Sequence, residues 1–307
     1  MLADGASLHH SNGTPLDVDQ FADTTRLANA IGYEGAVLDS RNLNDSEKWW
    51  AQTSEILSTR LGINSTRQTI PVTAQVSTTL GGVVTDEFGR AISGKWSRWF
   101  TGLYAAGESA CSGVHGAGLI AGNRLLDALA GGAVAGEHAA EHAAKAPFTG
   151  RAALETYLGV VEADLDFDMA GTDEGPVQRS APLFATLVEI MKTHVGASRN
   201  ESGLQSAIEQ LTELETAAEK LHLDDNSRLF NTNLLEALRL KAGIRLAKAT
   251  TQSAISRTES RGTHQRSDFE DTDPNQLHHT LVDNQGNTSK LAIRKGGSAT
   301  WVLSPDA

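Results

Sequence analysis

Cysteine, aromatic residues and basic charge are all scarce in this sequence of 307 residues. Its single cysteine, Cys111, excludes an internal disulfide and a cysteine-rich metal or iron–sulfur site within the chain. No apolar run approaches transmembrane length, and the first residues are not typical of a secretory signal. The 26 basic residues face 38 acidic ones, and the formal charge of −12 disfavours nucleic acid as a partner.

The most informative stretch runs from Gly102 to Lys145 and is rich in glycine and alanine. It begins with a short apolar run, Leu103 to Ala106, passes through a glycine cluster, and ends in the alanine-rich segment Ala128 to Ala144. A strand followed by a glycine turn and a helix is the smallest ligand-binding unit of an α/β sheet. The pattern therefore predicts a ligand site at this turn.

Two motifs in this stretch indicate other chemistries. Residues 116–121 fit GxGxxG/A, a pyrophosphate-binding pattern, but the acidic residue expected about 20 positions later at a strand end is lacking. His138, Glu141 and His142 fit HxxEH, a zinc-peptidase motif, although the sequence identifies no third ligand and a solvated helix end has the same composition. We therefore favour a glycine turn that faces another part of a ligand, and predict no metal.

The rest of the chain predicts a loose or poorly packed lead over residues 1–20, then mainly helices, with short strands before the glycine stretch and at the C-terminal end. Before the glycine stretch, helices are predicted over 20–30 and 47–61, the second capped by Asp45 or Ser46 and ended by Gly62. Strands are predicted over 33–38, 70–72 and 74–79. A hairpin over 80–92, with its turn near 87–89, is followed by an insertion-like segment over 93–100. After the glycine stretch come a helix over 152–161, an acidic loop over 162–175, and terminal strands over 277–303.

Three amphipathic helices between these segments predict a small bundle. The first has Pro182 in its first turn, and the second and third begin with possible capping boxes at Ser202 and Asn233. The predicted buried face of the third comprises Leu235, Leu238, Ala242, Leu246 and Ala249. The charged run from Arg257 to Asp268 follows it, and we favour an ion-paired network there over an anion-binding site.

Several segments, taken together and in order, resemble the flavoprotein subunit of succinate dehydrogenase and fumarate reductase. They lie between about Tyr33 and Lys295 and read VLDSRNL, IPVTAQVSTTLGGVVTD, GLYAAGESACSGVHGAGLIAGNRLLD, NTNLLEALRLKAGI, SAISRTESRGTHQRSDF, HHTLV and GNTSKLAIRK. The resemblance implies an α+β fold: a partial FAD-binding α/β sheet unit with the remnant of a capping domain, then a helical bundle and a short C-terminal β segment. The implied domains are the end of the capping domain with a linker, the C-terminal part of the FAD-binding domain, the bundle and the β region, over residues 1–69, 70–145, 146–270 and 271–307.

The resemblance also implies FAD as the cofactor and assigns residues to it. Glu108 matches the family's contact to the ribityl chain, while Arg124 and Leu125 match its backbone contact to the flavin ring. In the complete family enzyme, a hydride passes between the flavin and a dicarboxylate, and electrons leave through an iron–sulfur subunit. A membrane-anchor subunit is a further expected partner, which predicts a cytoplasmic protein held peripherally at the inner face of the membrane.

Two substrate positions depart from the family, so no catalytic residue is predicted to be intact. The family motif is HGANRLGGNSLLD, whereas this chain has HGAGLIAGNRLLD, so Leu119 replaces an arginine that binds a substrate carboxylate. The family writes HYTMGG where this chain has STTLGG, so Ser77 replaces a histidine and cannot supply an imidazolium charge. The family's pyrophosphate glycines and proton-transfer arginine have no counterpart. We expect a C-terminal portion of such an enzyme; the alternative is a catalytically degenerate relative that serves as a structural or interaction protein.

Overall fold

The computed structural model describes residues 1–18, 24–32, 35–43, 50–93, 98–120, 122–147, 150–164, 178–225, 227 and 229–292. The chain forms two compact units, Met1–Ser77 and Thr78–Ala307. Helices and short, mostly antiparallel sheets occur in both, which confirms the predicted α+β class. The domain boundaries predicted from the sequence remain predictions.

The N-terminal unit is built on a four-stranded antiparallel sheet in the order β2-β1-β3-β4. Its strands are β1 Ser7–His10, β2 Pro15–Leu16, β3 Ala36–Asp39 and β4 Ile70–Val72. Two helices accompany the sheet, α1 Thr24–Ile31 and α2 Ala51–Leu61. Alternate strand residues point to one face of the sheet, so the buried side chains of Leu8, Leu16 and Ala36 form its small core.

The predicted helices and the strands over 33–38 and 70–72 are confirmed at the level of element type, but the loose lead predicted over 1–20 is wrong, because β1 and β2 lie there and bury Leu8 and Leu16. Gly62 ends α2 with a φ of 67°, in the left-handed region that glycine adopts without strain. The proposed caps Asp45 and Ser46 lie outside the described residues. The strand predicted over 74–79 is wrong, because residues 73–82 have no regular secondary structure. Alternation of residue types alone does not make a strand, which also needs a neighbour to accept its hydrogen bonds.

The C-terminal unit begins with the elements that carry the glycine turn. A parallel pair joins β5 Val83–Val84 to β8 Ala110–Cys111, and an antiparallel pair joins β6 Arg90–Ser93 to β7 Arg98–Tyr104. The long helix α3, Asn123–Lys145, follows the turn as predicted. Its small residues permit close packing: a Cβ at Gly89 would lie 2.5 Å from the Cβ of Ala135.

The turn predicted near 87–89 is confirmed, but the hairpin predicted over 80–92 is limited to one antiparallel bridge, Thr85 to Ala91, because β5 pairs with β8 and β6 pairs with β7. The Gly89 amide donates to the Asp86 carbonyl at 3.1 Å, closing the turn at the expected place. Of the insertion-like segment 93–100, Ser93 ends β6 and Arg98–Phe100 begin β7, while residues 94–97 lie outside the described residues. Its aromatic side chains suit a strand, and Trp99 pairs with Ile92.

The helical bundle is confirmed. After α4, Arg151–Asp164, come α5 Ser180–His194, α6 Glu201–Ala218 and α7 Thr232–Ser256, and these last three share one core. Leu204, Leu211 and Leu240 in this core are 0% exposed. The unit continues with a hairpin of β9 His278–Val282 and β10 Thr288–Ala292, as predicted. The predicted acidic loop from residue 165 onward and the predicted terminal strands from residue 293 onward lie outside the described residues.

Both predicted capping boxes are wrong by two residues. Asn200 caps α6, because its Oδ1 accepts the Gly203 amide at 2.8 Å, and Ser202 lies inside the helix. Asn231 caps α7 by accepting the Leu234 amide at 2.8 Å, so Asn233 is not the cap. An asparagine two residues upstream accepts a hydrogen bond from a free amide of the first turn, so the helix begins there and the downstream residue lies inside it.

The buried face of α7 also differs from the prediction. Leu235 and Leu246 are 52% and 59% exposed, and Ala242 is exposed as well. The buried residues are instead Ala237, Leu240, Ile244, Ala247, Thr251 and Ala254. This helix carries apolar residues on more than one side, so periodicity admits two faces and packing against α5 and α6 selects one.

We expect Asn200→Ala to lower the free energy of unfolding by about 1 kcal/mol, because an amide of the first turn of α6 loses its acceptor. Ser202→Ala is the matched control, two residues away on the same helix, and is expected to change stability by less than about 0.5 kcal/mol. Urea unfolding measures both values. A larger loss for Ser202→Ala would contradict the observed cap.

Within the described part of the chain, no helix combines the length and apolar character needed to cross a membrane.

Candidate functional site

A pocket lies where β8 leads through the glycine turn into α3. Its lining comes from the segment after Ser77, the short 3-10 helix Gly107–Ser109, β8, the turn itself, the first turns of α3, and His279 of β9. The backbone approaches closely here because glycine leaves room, since a Cβ at Gly82 would lie 2.5 Å from the Ser109 carbonyl oxygen. The sequence prediction of a ligand site at this turn therefore has a corresponding concave surface.

Glu108 presents its carboxylate at the rim of this pocket. The Thr78 hydroxyl donates a hydrogen bond to Oε1, and an Arg124 nitrogen lies 2.6 Å from Oε2. These two partners lower the pKa of Glu108, the Thr78 hydrogen bond contributing most. The carboxylate is thus ionised at neutral pH, held in one orientation and still 45% exposed, so it can accept further hydrogen bonds.

The first turn of α3 lies beside Glu108 and opens on a second groove. Its N-cap is Gly122, which has a φ of 87° and no side chain that could accept hydrogen bonds from the helix amides. The groove has a volume of about 510 Å³ and includes Arg124 and Leu125 in its lining. Leu125 is 67% exposed. A helix start without a side-chain cap offers amide donors and a positive dipole end to an electron-rich ligand.

These residues fit the ribityl chain and the ring of FAD. A ribityl chain carries hydroxyl groups, and an oriented, exposed carboxylate such as that of Glu108 can accept hydrogen bonds from them. A flavin ring carries carbonyl acceptors and becomes negatively charged on reduction, which suits the start of α3.

The two altered substrate positions are placed differently. Leu119 lines the pocket together with Glu108 and Arg124. Ser77 is the exposed last residue of the N-terminal unit and directly precedes Thr78. The guanidinium of Arg124 is paired with the carboxylate of Glu108. The substrate roles of Ser77 and Leu119 remain predictions.

Sequence reasoning missed a contact between a histidine and an aspartate in the lining of the same pocket. Nε2 of His115 lies 3.3 Å from Oδ2 of Asp127, and the two side chains are 19% and 22% exposed. His115 belongs to the glycine turn, whereas Asp127 is the fifth residue of α3. No motif connects them, because the pair forms only when the turn folds back over the helix.

The HxxEH motif of α3 takes part in packing. The rings of His138 and Phe88 are 4.4 Å apart, those of His142 and Tyr104 are 6.5 Å apart, and the Tyr104 hydroxyl donates to the His138 carbonyl. Across the described ranges, no three His, Cys, Asp or Glu side chains are grouped so as to bind a metal ion. The two histidines therefore face the turn before β6 and the end of β7.

The charged run after α7 forms the predicted ion-paired network. Burial would raise the pKa of Glu259, but hydrogen bonds from Arg261, the Asp273 amide and Arg257 lower it, so the carboxylate is ionised although 0% exposed. Arg266 is also fully buried and bonds to Asp268 at 2.7 Å. The network satisfies its charges internally, as buried ions require.

This network connects to the glycine turn through one backbone oxygen. The amide and hydroxyl of Thr263 both donate to the Ala117 carbonyl, at 2.7 and 2.9 Å. The adjacent Gly262 has a φ of 55°, and a Cβ there would lie 2.3 Å from the same oxygen. The loop that follows the bundle thus positions the turn that lines the pocket.

Two family models match the chain. Residues 185–301 match the model described as fumarate reductase flavoprotein C-term, and residues 32–125 match the model described as FAD binding domain. The fumarate reductase flavoprotein subunit of Haemophilus influenzae is 34% identical over 261 residues, covering 83% of this chain and 42% of the relative. The succinate dehydrogenase flavoprotein subunit of Coxiella burnetii is 33% identical over 230 residues, covering 73% of this chain and 38% of the relative.

The fold agrees with these matches. A variant of Escherichia coli quinol fumarate reductase superposes with a TM-score of 0.79 and 26% identity, covering 100% of this chain and 56% of that chain. A quinol–fumarate reductase structure containing menaquinol gives a TM-score of 0.79 at 25% identity, with 97% and 56% covered. The chain thus spans about two fifths of the length of the curated relatives that it matches.

Proposed function

Because this chain belongs to the succinate dehydrogenase and fumarate reductase flavoprotein family, we propose that it holds the ribityl chain and flavin ring of FAD in an oxidoreductase. The main observation that supports this proposal is the Glu108 carboxylate, which Thr78 and Arg124 orient beside the start of α3. The matched FAD-binding model and the flavoprotein names of the relatives support FAD as the cofactor.

In this proposal each residue has a defined task. Glu108 accepts hydrogen bonds from ribityl hydroxyls, while the backbone at Arg124 and Leu125 donates to the flavin ring. When bound, the flavin supplies the chemistry that this chain lacks, namely the acceptance and donation of a hydride. The dipole of α3 favours the negative charge of the reduced ring. Arg124 sets the orientation of Glu108 and leaves the carboxylate exposed to the cofactor.

The complete enzyme that we propose transfers a hydride between the flavin and a carboxylic acid of the succinate or fumarate type. In this proposal the chain corresponds to the C-terminal portion of such a flavoprotein subunit, which the match to the C-term model and the partial coverage of the relatives support. Electrons would leave through an iron–sulfur subunit. A membrane-anchor subunit would hold the assembly peripherally at the cytoplasmic face of the membrane.

A second candidate is a degenerate relative that keeps the fold for protein interaction. The observation that favours it is the pocket position of Leu119, an apolar residue where the family places its carboxylate clamp. Arg124 does not replace that clamp, because its guanidinium is paired with Glu108. The two candidates differ in flavin binding, which is directly measurable.

We expect the natural full-length protein to bind FAD, and Glu108→Gln to weaken that binding about 10- to 100-fold, because an ionised acceptor of hydrogen bonds is lost. Titration of FAD fluorescence measures both affinities. Glu137→Gln is the control, an exposed carboxylate on α3 that does not line the pocket, and its affinity should match the wild type.

Equal affinities for Glu108→Gln and the wild type would contradict the assignment of Glu108. A folded wild-type protein that binds no FAD would contradict the proposed function and favour the interaction protein.

A further inference from the structure

The ring of His264 lies between two partners that both require its neutral form. Its Nε2 is 3.1 Å from the carbonyl oxygen of Arg257, the residue that caps the end of α7. Its Nδ1 is 3.1 Å from a guanidinium nitrogen of Arg199. A carbonyl only accepts and a guanidinium only donates, so Nε2 carries the hydrogen and Nδ1 is the acceptor. A proton on Nδ1 would place one donor against another and a cation beside a cation.

The surroundings of the ring also disfavour that proton. Three guanidinium groups act on it, those of Arg199, Arg257 and Arg266. In the described network, the carboxylates pair with arginines: Glu259 with Arg257 and Arg261, and Glu201 and Asp268 with Arg266. Burial, followed by the charge of Arg199, lowers the pKa of His264 to about 4. The ring is therefore neutral at pH 7, as its two hydrogen bonds require.

The same residue closes the turn that reaches the pocket. Arg261 and His264 exchange two backbone hydrogen bonds, of 2.8 and 3.0 Å. Thr263 lies between them and donates both its amide and its hydroxyl to the Ala117 carbonyl. Gly116, the neighbour of Ala117, belongs to the pocket lining. Because Thr263 adjoins His264, a displacement of the imidazole would move the glycine turn.

We propose that His264 is a positioning residue for the cofactor site: its neutral ring, bonded to Arg199 and to the Arg257 carbonyl, is a latch that holds the glycine turn, and protonation of Nδ1 releases it. The step from the turn to FAD rests on the proposed function. The latch itself depends only on contacts within this chain.

The direction of the pH effect follows from the two states of the latch. A released ring has the ordinary histidine pKa of 6.5, whereas the pKa of the latched ring is about 4. The latched state is therefore most stable above pH 6.5, and it loses that stability as the pH falls toward 4. Between pH 7.5 and pH 5, the equilibrium should shift about 10- to 30-fold toward release.

Histidine NMR of the natural full-length protein tests the state of the ring without any substitution. We expect the His264 ring of the folded protein to keep its hydrogen on Nε2 and to remain neutral down to about pH 5.5. A ring that titrates near its ordinary pKa, or that carries its hydrogen on Nδ1, would overturn the proposal.

Hydrogen exchange of residues 113–120 at pH 7.5 and pH 5, corrected for the intrinsic effect of pH, measures release of the glycine turn. We expect acid to raise this exchange about tenfold in the wild type and less than about threefold in His264→Gln, which does not titrate in this range. Burial and Arg257 also lower the pKa of His278 to about 4, so the comparison with His264→Gln is needed to assign the effect. His142→Gln, a histidine packed against Tyr104, is the control and should respond like the wild type. Equal responses of the wild type and His264→Gln would overturn the latch.

Saturating FAD tests the link to the cofactor, because coupling between a ligand and a latch is reciprocal. We expect bound FAD to slow exchange of the Thr263 amide at pH 5 about tenfold. Unchanged exchange at Thr263 in FAD-saturated protein would overturn the positioning role of His264. A folded protein that binds no FAD at pH 7.5 would overturn the proposed function, and the exchange of residues 113–120 without FAD would then decide the latch by itself.

Discussion

Arg266→Met is expected to lower the free energy of unfolding by about 3–5 kcal/mol, because it removes the central cation of a buried network. The guanidinium is 0% exposed and bonds to Asp268 at 2.7 Å, Glu201 at 2.9 Å and the Ala254 carbonyl at 2.9 Å. Its loss leaves two carboxylates facing each other without a cation and a helix carbonyl without a donor. Methionine preserves much of the side-chain volume, so the measured loss reports chiefly on charge and hydrogen bonding.

Arg179→Met is the matched control for this experiment. Arg179 also pairs with an aspartate, Asp224, at 2.9 Å, but the two side chains are 59% and 53% exposed. Water screens such a pair, so the expected change is about 0–1 kcal/mol. Denaturant unfolding of both variants gives the comparison. Equal losses for the two arginines would show that burial of Arg266 does not decide its contribution.

Gly262→Ala is expected to lower the free energy of unfolding by about 2–3 kcal/mol, since an alanine at φ 55° is strained. The new Cβ would also lie 2.3 Å from the Ala117 carbonyl oxygen, so the glycine turn must move. The Thr263 hydrogen bonds to that oxygen would be disrupted as a result. We therefore expect weaker FAD binding as well as lower stability, measured by fluorescence titration and urea unfolding.

Gly118→Ala tests whether the effect at position 262 is specific. Gly118 lies in the glycine turn itself, has no left-handed φ, and would place its Cβ in open space. Its expected change in stability is within about 0.5 kcal/mol. If Gly118→Ala were as damaging as Gly262→Ala, the contact with Ala117 would not be what constrains the loop.

The helices illustrate how far the sequence reaches. Periodic leucines predict that α5, α6 and α7 exist and pack together, since an apolar stripe on a helix must be buried. The caps are displaced by two residues, to Asn200 and Asn231, because neighbouring polar residues offer nearly equal capping chemistry. The buried face of α7 also differs from the prediction, because it depends on which side of the helix packs against α5 and α6.

For the site, the sequence by itself determined the elements whose geometry is local. The strand, glycine turn and helix of 102–145 follow from residue types and spacing, and they bring Glu108, Leu119 and Arg124 to one pocket. Only the tertiary structure decided the contacts across the turn and between distant segments: Thr78 to Glu108, His115 to Asp127, and Thr263 to Ala117. The physical reason is that secondary structure depends on backbone preferences over a few neighbouring residues, whereas side-chain partners depend on packing between segments as far apart as 146 positions.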